Sequence, residues 1–238
     1  ARRKARPLAE DSPMAVLRVN DDLSYCMIDG HLIFLDIGND RYFRLSRPLE
    51  SSFIRYLQDG DIHAGDISKL LEQRVLTDVV PSHLPPMQRV PTSPTHSALE
   101  MTTESTRATS APAIEVAALV LSTHIQLRTR KLKRVLDRIR RHRDGSPSIP
   151  APSSHEALRV ACWAEAFRSA RALVPIDTRC LPDSIALTRF LERRRLCVDL
   201  VFGVTSAPFS AHCWVQYQGI VLNDTLDHVR AHTTILVI

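Results

Sequence analysis

The sequence predicts an α+β fold, with a small antiparallel sheet and two helices in its first part and helices followed by antiparallel strands in its last part. Strand-like runs rich in β-branched and aromatic residues lie within 15–45 and again within 198–224. Six prolines fall within 80–113 among Ser, Thr and His, as is typical of a linker. We therefore expect a charged, disordered tail at 1–13, a small domain at 14–79, a Pro-rich linker at 80–113 and a second domain at 114–238.

Composition excludes several classes of protein. No run of 18 apolar residues is present, and the basic residues at 2–6 are not followed by an apolar core, so we expect a cytoplasmic protein without a membrane segment. The five cysteines are odd in number and form no CxxC pair, which argues against a disulfide framework and a structural zinc site. We expect no bound metal or other cofactor and, since no Gly-rich phosphate loop is present, no ATP on this chain.

The small domain is predicted to be a strand meander followed by two helices. The strands are expected at 15–19, 24–28, 31–36 and 41–45, with turn residues at 29–30 and 38–40. A helix over 46–60 follows, with Ser46 as its cap and Gly60 at its end, and a second helix covers about 64–73. This order is typical of a winged-helix-like unit.

One long helix is predicted over 114–143. Residues 127–143 carry nine Lys or Arg and one Asp, a local charge of +8 in a chain of +5. That density suggests nucleic-acid binding, but a solvated face on a helix that packs against the second domain is the preferred interpretation. The predicted apolar stripe consists of Ala118, Leu121, Ile125, Leu132, Val135, Leu136 and Ile139.

A cysteine stands at the start of a further predicted helix. After a helix over 155–173, the chain reaches Cys180, with Pro182 suited to a first helical turn and Asp183 complementing the positive end of the helix dipole. The amide dipoles at such an N-terminus favour a thiolate, which is the nucleophilic form of cysteine.

Three strands are predicted after this helix, at 198–204, 211–217 and 219–224. The last two form a hairpin whose turn decides which residue faces His212. A three-residue turn pairs His212 with Asp224 on one face of the sheet. A two-residue turn at 218–219 pairs His212 with Thr225 instead and turns Asp224 away.

A triad of Cys180, His212 and Asp224 requires the three-residue turn and so predicts it. In such a triad, the histidine takes the thiol proton and returns it to a leaving amine, while the aspartate fixes the tautomer and stabilises the imidazolium. The amide of Cys180 is one candidate oxyanion donor, and the sequence does not identify a second. Each of these residues alone is more often a packing or capping residue than a catalyst, so spacing leaves both interpretations open.

A family resemblance favours the triad. The motifs that carry it are Cys180-Leu181 with Ser184 and Ala186-Leu187, then 200–204, Phe209 with 211–215, and 221–224. On these residues, about 155–238 resembles the B protein of lasso-peptide biosynthesis, a leader peptidase with a papain- or transglutaminase-like fold. The resemblance implies that Cys180, His212 and Asp224 are catalytic. Cys213 departs from the pattern, since many relatives have a small residue there, but it lies outside the triad.

The first domain resembles, on weaker motifs, the leader-recognition domain of the pyrroloquinoline-quinone D-protein type. The motifs are Leu35-Asp36, 42–45 and the helix at 66–71. In that family the leader adds as a strand beside the third strand and lies against the last helix. The alternative is that the aromatic residues are core, as Tyr42 or Phe43 must be because alternate residues face opposite sides of a strand. The resemblance implies leader binding by Arg41, Tyr42, Phe43, Arg44, Leu45, Ile67, Leu70 and Arg74.

Together the resemblances imply a cysteine peptidase that recognises and removes the leader of a lasso-peptide precursor. The implied partners are the leader region of that precursor and an ATP-dependent, asparagine-synthetase-like macrolactam synthetase, on which proteolysis can depend; nucleic acid and membranes are not expected. They also imply a Thr near the cleavage point of the substrate. Two alternatives remain: a transglutaminase-like acyl transferase or amidase with the same triad, and a non-catalytic winged-helix DNA-binding protein.

Overall fold

The computed structural model describes residues 16–60, 62–79, 92–100, 111–144 and 154–238 and confirms an α+β fold. None of the helices in these ranges is both long and apolar enough to cross a membrane. The strands are β1 (Val16–Val19), β2 (Leu23–Ile28), β3 (His31–Asp36), β4 (Arg41–Phe43), β5 (Leu76–Val79), β6 (His96–Ser97), β7 (Asp199–Ser206), β8 (Phe209–Tyr217), β9 (Ile220–Val221) and β10 (Thr233–Val237). The helices are α1 (Arg47–Asp59), α2 (Ala64–Glu72), α3 (Ala113–Thr129), α4 (Leu132–Asp144), α5 (Ser154–Arg171), α6 (Cys180–Glu192) and α7 (Leu226–Arg230).

The chain divides into two compact units at other places than the predicted domain boundaries. The described residues of Ala1–Asp21 and Ser46–Met87 form the first unit, and those of Asp22–Leu45 and Gln88–Ile238 form the second. The predicted domain at 14–79 is therefore split between the units, because β2, β3 and β4 belong to the second. The predicted tail at 1–13 lies outside the described residues.

In the first unit, two helices accompany a two-stranded antiparallel sheet. β1 pairs with β5 from Val16↔Val79 to Val19↔Leu76, so β1 does not join the predicted meander, and β5 forms where no strand was predicted. The Tyr56 hydroxyl on α1 donates a hydrogen bond to the β1 carbonyl of Leu17 at 2.6 Å. The buried apolar residues of this unit are Leu49, Phe53, Leu70, Val75 and Leu76.

The second unit contains a five-stranded sheet in the order β10-β7-β8-β9-β6. Neighbouring strands are antiparallel except β6, which runs parallel to β9. β6 comes from the segment predicted as a linker, so at least His96–Ser97 belongs to the folded unit; 80–91 and 101–110 lie outside the described residues. The two-residue strand β6 is too short to leave a periodic pattern in the sequence.

The three-stranded sheet β2-β3-β4 belongs to the second unit because of the apolar surface that β3 buries. Ile33, Leu35 and Ile37 lie in the same apolar cluster as Leu187 of α6 and Val215 of β8. Burial of apolar surface is the main favourable contribution to folding. The shared cluster therefore places these strands in the second unit, although β1 and α1 are their neighbours in sequence.

The predicted helix over 114–143 is two helices. Arg130 is extended (φ −132°, ψ 149°), and it separates α3 from α4. On α3 the predicted stripe is wrong, since Leu121 and Ile125 are each 52% exposed. The buried side chains of α3 are instead Val116, Leu119, Val120 and Thr123. Apolar residues surround α3 almost completely, so spacing alone did not identify its buried face.

The basic helix α4 packs through an apolar face, as the interpretation preferred from the sequence predicted. Its Leu132, Val135, Leu136 and Ile139 are buried. On its polar side, Lys133 pairs with Asp22 at 2.5 Å and Arg143 pairs with Asp199 at 2.5 Å. Acidic partners within the same unit therefore take up part of the local charge.

Candidate active site

Cys180 is the first residue of α6, and the preceding Arg179 is extended (φ −139°, ψ 134°), as predicted for a helix N-terminus. The thiol is exposed. A hydrogen bond with His212 lowers the pKa of Cys180 more than burial raises it, and the amides of Cys213 and Leu181 contribute in the same direction. A helix N-terminus adds a favourable dipole. The site thus favours a thiolate.

His212 lies in the middle of β8, opposite Gly203 of β7. Its imidazole stacks with the indole of Trp214, with ring centroids 5.9 Å apart and planes 19° from parallel. Burial alone would lower the pKa of His212, but hydrogen bonds with Asp224 and Cys180 outweigh burial and raise the pKa to about 9. A thiol of lowered pKa beside an imidazole of raised pKa favours a thiolate–imidazolium ion pair.

The predicted three-residue turn after β8 is wrong. Tyr217 pairs with Ile220, which leaves Gln218 and Gly219 as a two-residue turn. Gln218 takes a positive φ of 53°, a conformation that two-residue hairpin turns require at one or both central positions. In this register, continuation of the strands would bring Thr225 opposite His212.

Asp224 nevertheless contacts His212, because the chain leaves the strand ladder after β9. The amide of Leu222 still donates to the carbonyl of Val215 at 2.9 Å, and the next two residues bend out of the sheet. There the Asp224 carboxylate Oδ2 is hydrogen-bonded to Nε2 of His212. The structure therefore brings the three predicted residues together at one site, by a route that strand register does not predict.

Three further contacts hold Asp224. Its Oδ1 accepts the Thr225 amide at 2.7 Å, and Nδ1 of His228 lies 3.0 Å from Oδ2 and 3.1 Å from Oδ1. Its main-chain carbonyl accepts the buried Ser97 hydroxyl at 2.5 Å. Burial raises the pKa of Asp224, but the bonds from His212, Thr225 and His228 hold it below its ordinary value. Asp224 is therefore an ionised, firmly positioned acceptor.

Three of these residues also lie close enough together to be considered as metal ligands. Ligand atoms of His212, Asp224 and His228 lie within 4.8 Å of one another, close enough to hold an ion. The hydrogen bonds of Asp224 with His212 and with His228 explain this closeness, and a metal ion is not needed to explain it.

A cleft of about 270 Å³ opens beside Cys180, His212 and Asp224. Its apolar wall consists of buried residues of α5, α6 and the segment after β9, and arginines contribute to its polar side. Cys180, His212 and Asp224 are thus all accessible to one ligand. The apolar wall is Ala164, Phe167, Leu187 and Leu222, and the arginines are Arg168, Arg171 and Arg179.

A buried ion pair anchors the start of α6. Arg171 at the end of α5 pairs with Asp183 in the first turn of α6 at 2.8 Å, and both side chains are largely buried. The Arg171 guanidinium also donates to the carbonyls of Val174, Ile176 and Asp177. The second Asp183 oxygen accepts the amide of Arg179 at 3.0 Å. These bonds tie the loop before Cys180 to the helix that begins with it.

The predicted leader-binding residues fall in different units. Arg41 to Leu45 lie in the unit that holds Cys180, whereas Ile67, Leu70 and Arg74 lie in the other. β4 pairs with β3 on one side and with no other strand of the described residues on its second side. Tyr42 is half-buried, with its ring 5.5 Å from that of Phe209. Of the remaining residues, Leu45 and Leu70 are buried, Phe43 and Ile67 are half-buried, and Arg41, Arg44 and Arg74 are exposed.

Sequence reasoning missed several residues of the site. His228 lies four residues after Asp224, the spacing of one helical turn, but no helix was predicted there. Ser97 comes from a Pro-rich segment without periodicity, and Arg171 lies in a predicted helix that offered no reason to single it out. Prediction of α7 could have found His228, whereas nothing local points to Ser97.

Comparison with known proteins identifies the family. The family model for the transglutaminase-like superfamily matches residues 119–237, half of the 238-residue chain. Over 45 residues the chain is 47% identical to the Microcin J25-processing protein McjB of Escherichia coli, a stretch that covers 19% of this chain and 22% of that protein. No solved structure gives a significant match. With half of its length matched, the chain belongs to the transglutaminase-like superfamily and is, at that level, a cysteine-protease-like enzyme.

Proposed function

We propose that this chain is a cysteine peptidase that removes the leader peptide of a lasso-peptide precursor before a partner synthetase closes the macrolactam ring. The observation that carries the proposal is that Cys180 lines one open cleft together with the hydrogen-bonded pair of His212 and Asp224. The substrate class is supported by the identity to a protein that processes microcin J25, a lasso peptide.

In the first step, the Cys180 thiolate attacks the carbonyl carbon of the scissile peptide bond. The Cys180 amide is one candidate donor to the oxyanion that forms. The His212 imidazolium gives its proton to the leaving amine as the C–N bond breaks. The core peptide leaves with a free amino terminus, and the leader remains on Cys180 as a thioester.

In the second step, neutral His212 takes a proton from water, and the oxygen of that water attacks the thioester carbonyl. The C–S bond breaks, the leader leaves with a new carboxylate, and the thiolate–imidazolium pair is restored. Asp224 accepts the Nε2–H of His212 in both steps and stabilises the imidazolium. The free amine of the core is the group that a macrolactam synthetase must have for ring closure.

Leader recognition is proposed at the open side of β4. A strand edge offers main-chain donors and acceptors to an extended peptide. Arg41 stiffens this edge, since it pairs with the buried Asp36 at 3.3 Å and lies over the ring of Phe43 at 5.1 Å. Ile67 on α2 and Arg74, which follows that helix, belong to the other unit and remain proposed contacts of the leader, while Leu70 is wholly buried.

The experiment that tests the function follows precursor mass in the presence of this protein, its synthetase partner and ATP. Wild-type protein is compared with Cys180→Ala and with Cys162→Ala, which removes another free thiol. We expect wild type and Cys162→Ala to split the precursor into leader and core, and Cys180→Ala to leave it intact.

Each contrary outcome has a defined meaning. Equal leader release by Cys180→Ala would remove Cys180 from the mechanism. A product of unchanged backbone but altered side-chain mass would favour an acyl transferase or amidase with the same residues. Leader binding without any release in all three proteins would reduce the proposal to a binding module.

A further inference from the structure

A buried serine connects the three elements that carry Cys180, His212 and Asp224. Ser184 lies on α6 one helical turn after Cys180 and is wholly buried. Its hydroxyl donates to the main-chain carbonyl of Cys213 at 3.0 Å and accepts a hydrogen bond from the Asn223 amide at 2.9 Å. One hydroxyl group thus joins the nucleophile helix to the residue after His212 and to the residue before Asp224.

Asn223 supplies the second half of this connection. Its side-chain Oδ1 accepts the amide of Val215 at 2.8 Å, while the amide of Leu222 bonds to the carbonyl of the same Val215 at 2.9 Å. The Asn223 side chain therefore supplies the acceptor for the Val215 amide that a main-chain carbonyl would supply in a regular ladder. This exchange lets the backbone bend away after β9, and the bend is what brings Asp224 to His212.

Two main-chain groups of Cys213, its carbonyl and its amide, also bear on the start of α6. The carbonyl accepts the Ser184 hydroxyl, and the amide is one of the groups that lower the pKa of Cys180. The carbonyl and the amide belong to successive peptide units that meet at the Cys213 Cα, so a shift of the main chain at this residue would move the amide and the neighbouring His212 as well. The pair of Ser184 and Asn223 therefore acts on the main chain near each of Cys180, His212 and Asp224.

We propose that Ser184 and Asn223 are positioning residues that set the relative orientation of the thiol, imidazole and carboxylate through the backbone. The proposal rests on the proposed function for its catalytic consequence, but its effect on thiol reactivity does not need a peptide substrate. Neither residue is proposed to touch the substrate. A displacement of about 1 Å between reacting groups can lower a catalytic rate about 100-fold, so hydrogen bonds of this kind are sufficient to matter.

The test compares Ser184→Ala and Asn223→Ala with a matched control, Thr188→Val. Thr188 lies one turn further along α6, is equally buried, and donates only to the helix carbonyl of Ser184 at 2.9 Å. The control therefore removes a buried hydroxyl from the same helix whose hydrogen bond stays within that helix. Folding of each variant is measured by urea denaturation, so that only folded protein is compared.

Two readouts separate positioning from a merely structural role. The first is the pH dependence of Cys180 alkylation by iodoacetamide, followed by peptide mass mapping without precursor. We expect the alkylation midpoint to move to higher pH in Ser184→Ala and Asn223→Ala and to stay at the wild-type value in Thr188→Val. The second is precursor hydrolysis, in which we expect kcat to fall about tenfold to 100-fold at unchanged leader affinity.

Because Ser184 and Asn223 share a hydrogen bond within one network, the loss in the double variant should be smaller than the sum of the two single losses. Unchanged alkylation midpoints and kcat values equal to those of Thr188→Val would overturn the proposal. If Ser184→Ala fails to fold, Asn223→Ala decides alone, since its side chain is only half-buried. Shifted alkylation in a protein whose wild type cleaves no precursor would leave the positioning role intact and remove the peptidase function.

Discussion

His212 and Asp224 are hydrogen-bonded although they are not paired residues in the sheet. The two-residue turn at Gln218 and Gly219 would place Thr225 opposite His212 if the strands continued. Because the chain leaves the strand ladder after β9, that pairing does not form. The contact between His212 and Asp224 therefore depends on the path of the backbone as much as on the two side chains.

The first prediction concerns the carboxylate. Asp224→Asn should lower kcat/KM about 100-fold or more, because the amide can present the wrong hydrogen-bonding group to Nε2 and carries no charge to stabilise the imidazolium. The measurement is precursor cleavage under single-turnover conditions. Asp227→Asn, three residues later on α7, is the matched control and should retain wild-type activity; a similar loss in both variants would contradict a specific role for Asp224.

The second prediction concerns pH. The proposed mechanism requires a deprotonated Cys180 and a protonated His212, so kcat/KM should be bell-shaped. The alkaline limb should lie near pH 9, where His212 loses its proton. The acid limb should lie below the ordinary pKa of a cysteine, because the Cys180 pKa is lowered.

Asp224→Asn also tests the origin of the alkaline limb. The hydrogen bond with Asp224 helps to raise the pKa of His212, so its weakening should move this limb to lower pH. An alkaline limb that stays in place in the variant would show that another group causes it.

The third prediction concerns the buried ion pair before Cys180. Arg171→Ala should lower the free energy of unfolding by about 3–5 kcal/mol, because Asp183 is left buried without its cation. Arg168→Ala, three residues earlier on α5, breaks an exposed pair with Glu165 and should change stability by about 0–1 kcal/mol. Urea denaturation measures both; equal effects would show that burial of the Arg171 pair is unimportant.

The fourth prediction concerns the strand opposite His212. A Cβ on Gly203 would lie 2.7 Å from the Trp214 ring and 2.9 Å from Cβ of His232, so Gly203→Ala should lower the free energy of unfolding by roughly 1–3 kcal/mol. Trp214 stacks with His212, so activity should fall in the folded fraction too.

The control is Gly65→Ala on α2, where the added Cβ meets nothing within 4 Å, and this variant should raise the free energy of unfolding by about 0.5 kcal/mol. Thermal unfolding that ranks the variants the other way would contradict this packing.

The fifth prediction concerns the leader. If the leader pairs with β4 as a strand, N-methylation of its amides should weaken binding at every second position, since alternate amides face the same side. Each effective methylation should raise Kd about tenfold, as loss of one main-chain hydrogen bond does. Fluorescence anisotropy with labelled leader peptides measures this, and alanine substitution at the same positions controls for side chains. A pattern without alternation would exclude strand addition.

Much of the local structure was decided by the sequence itself. Gly60 ends α1 in the left-handed conformation, Cys180 begins α6 with Pro182 and Asp183 in its first turn, and the runs around β7 and β8 form strands. Caps, turn residues and side-chain periodicity act over a few residues, so they can be recognised without knowledge of the rest of the chain.

Only the tertiary structure decided which of these elements meet. The burial of Ile33 and Leu35 assigns β2, β3 and β4 to the unit of Cys180, and Ser97 joins Asp224 across more than a hundred residues. The Asn223 side chain ends the β8–β9 pairing where a regular ladder would carry Asp224 away from His212. Such contacts depend on which surfaces remain to be buried and which polar groups remain to be satisfied once the local elements exist, and no window of neighbouring residues contains that information.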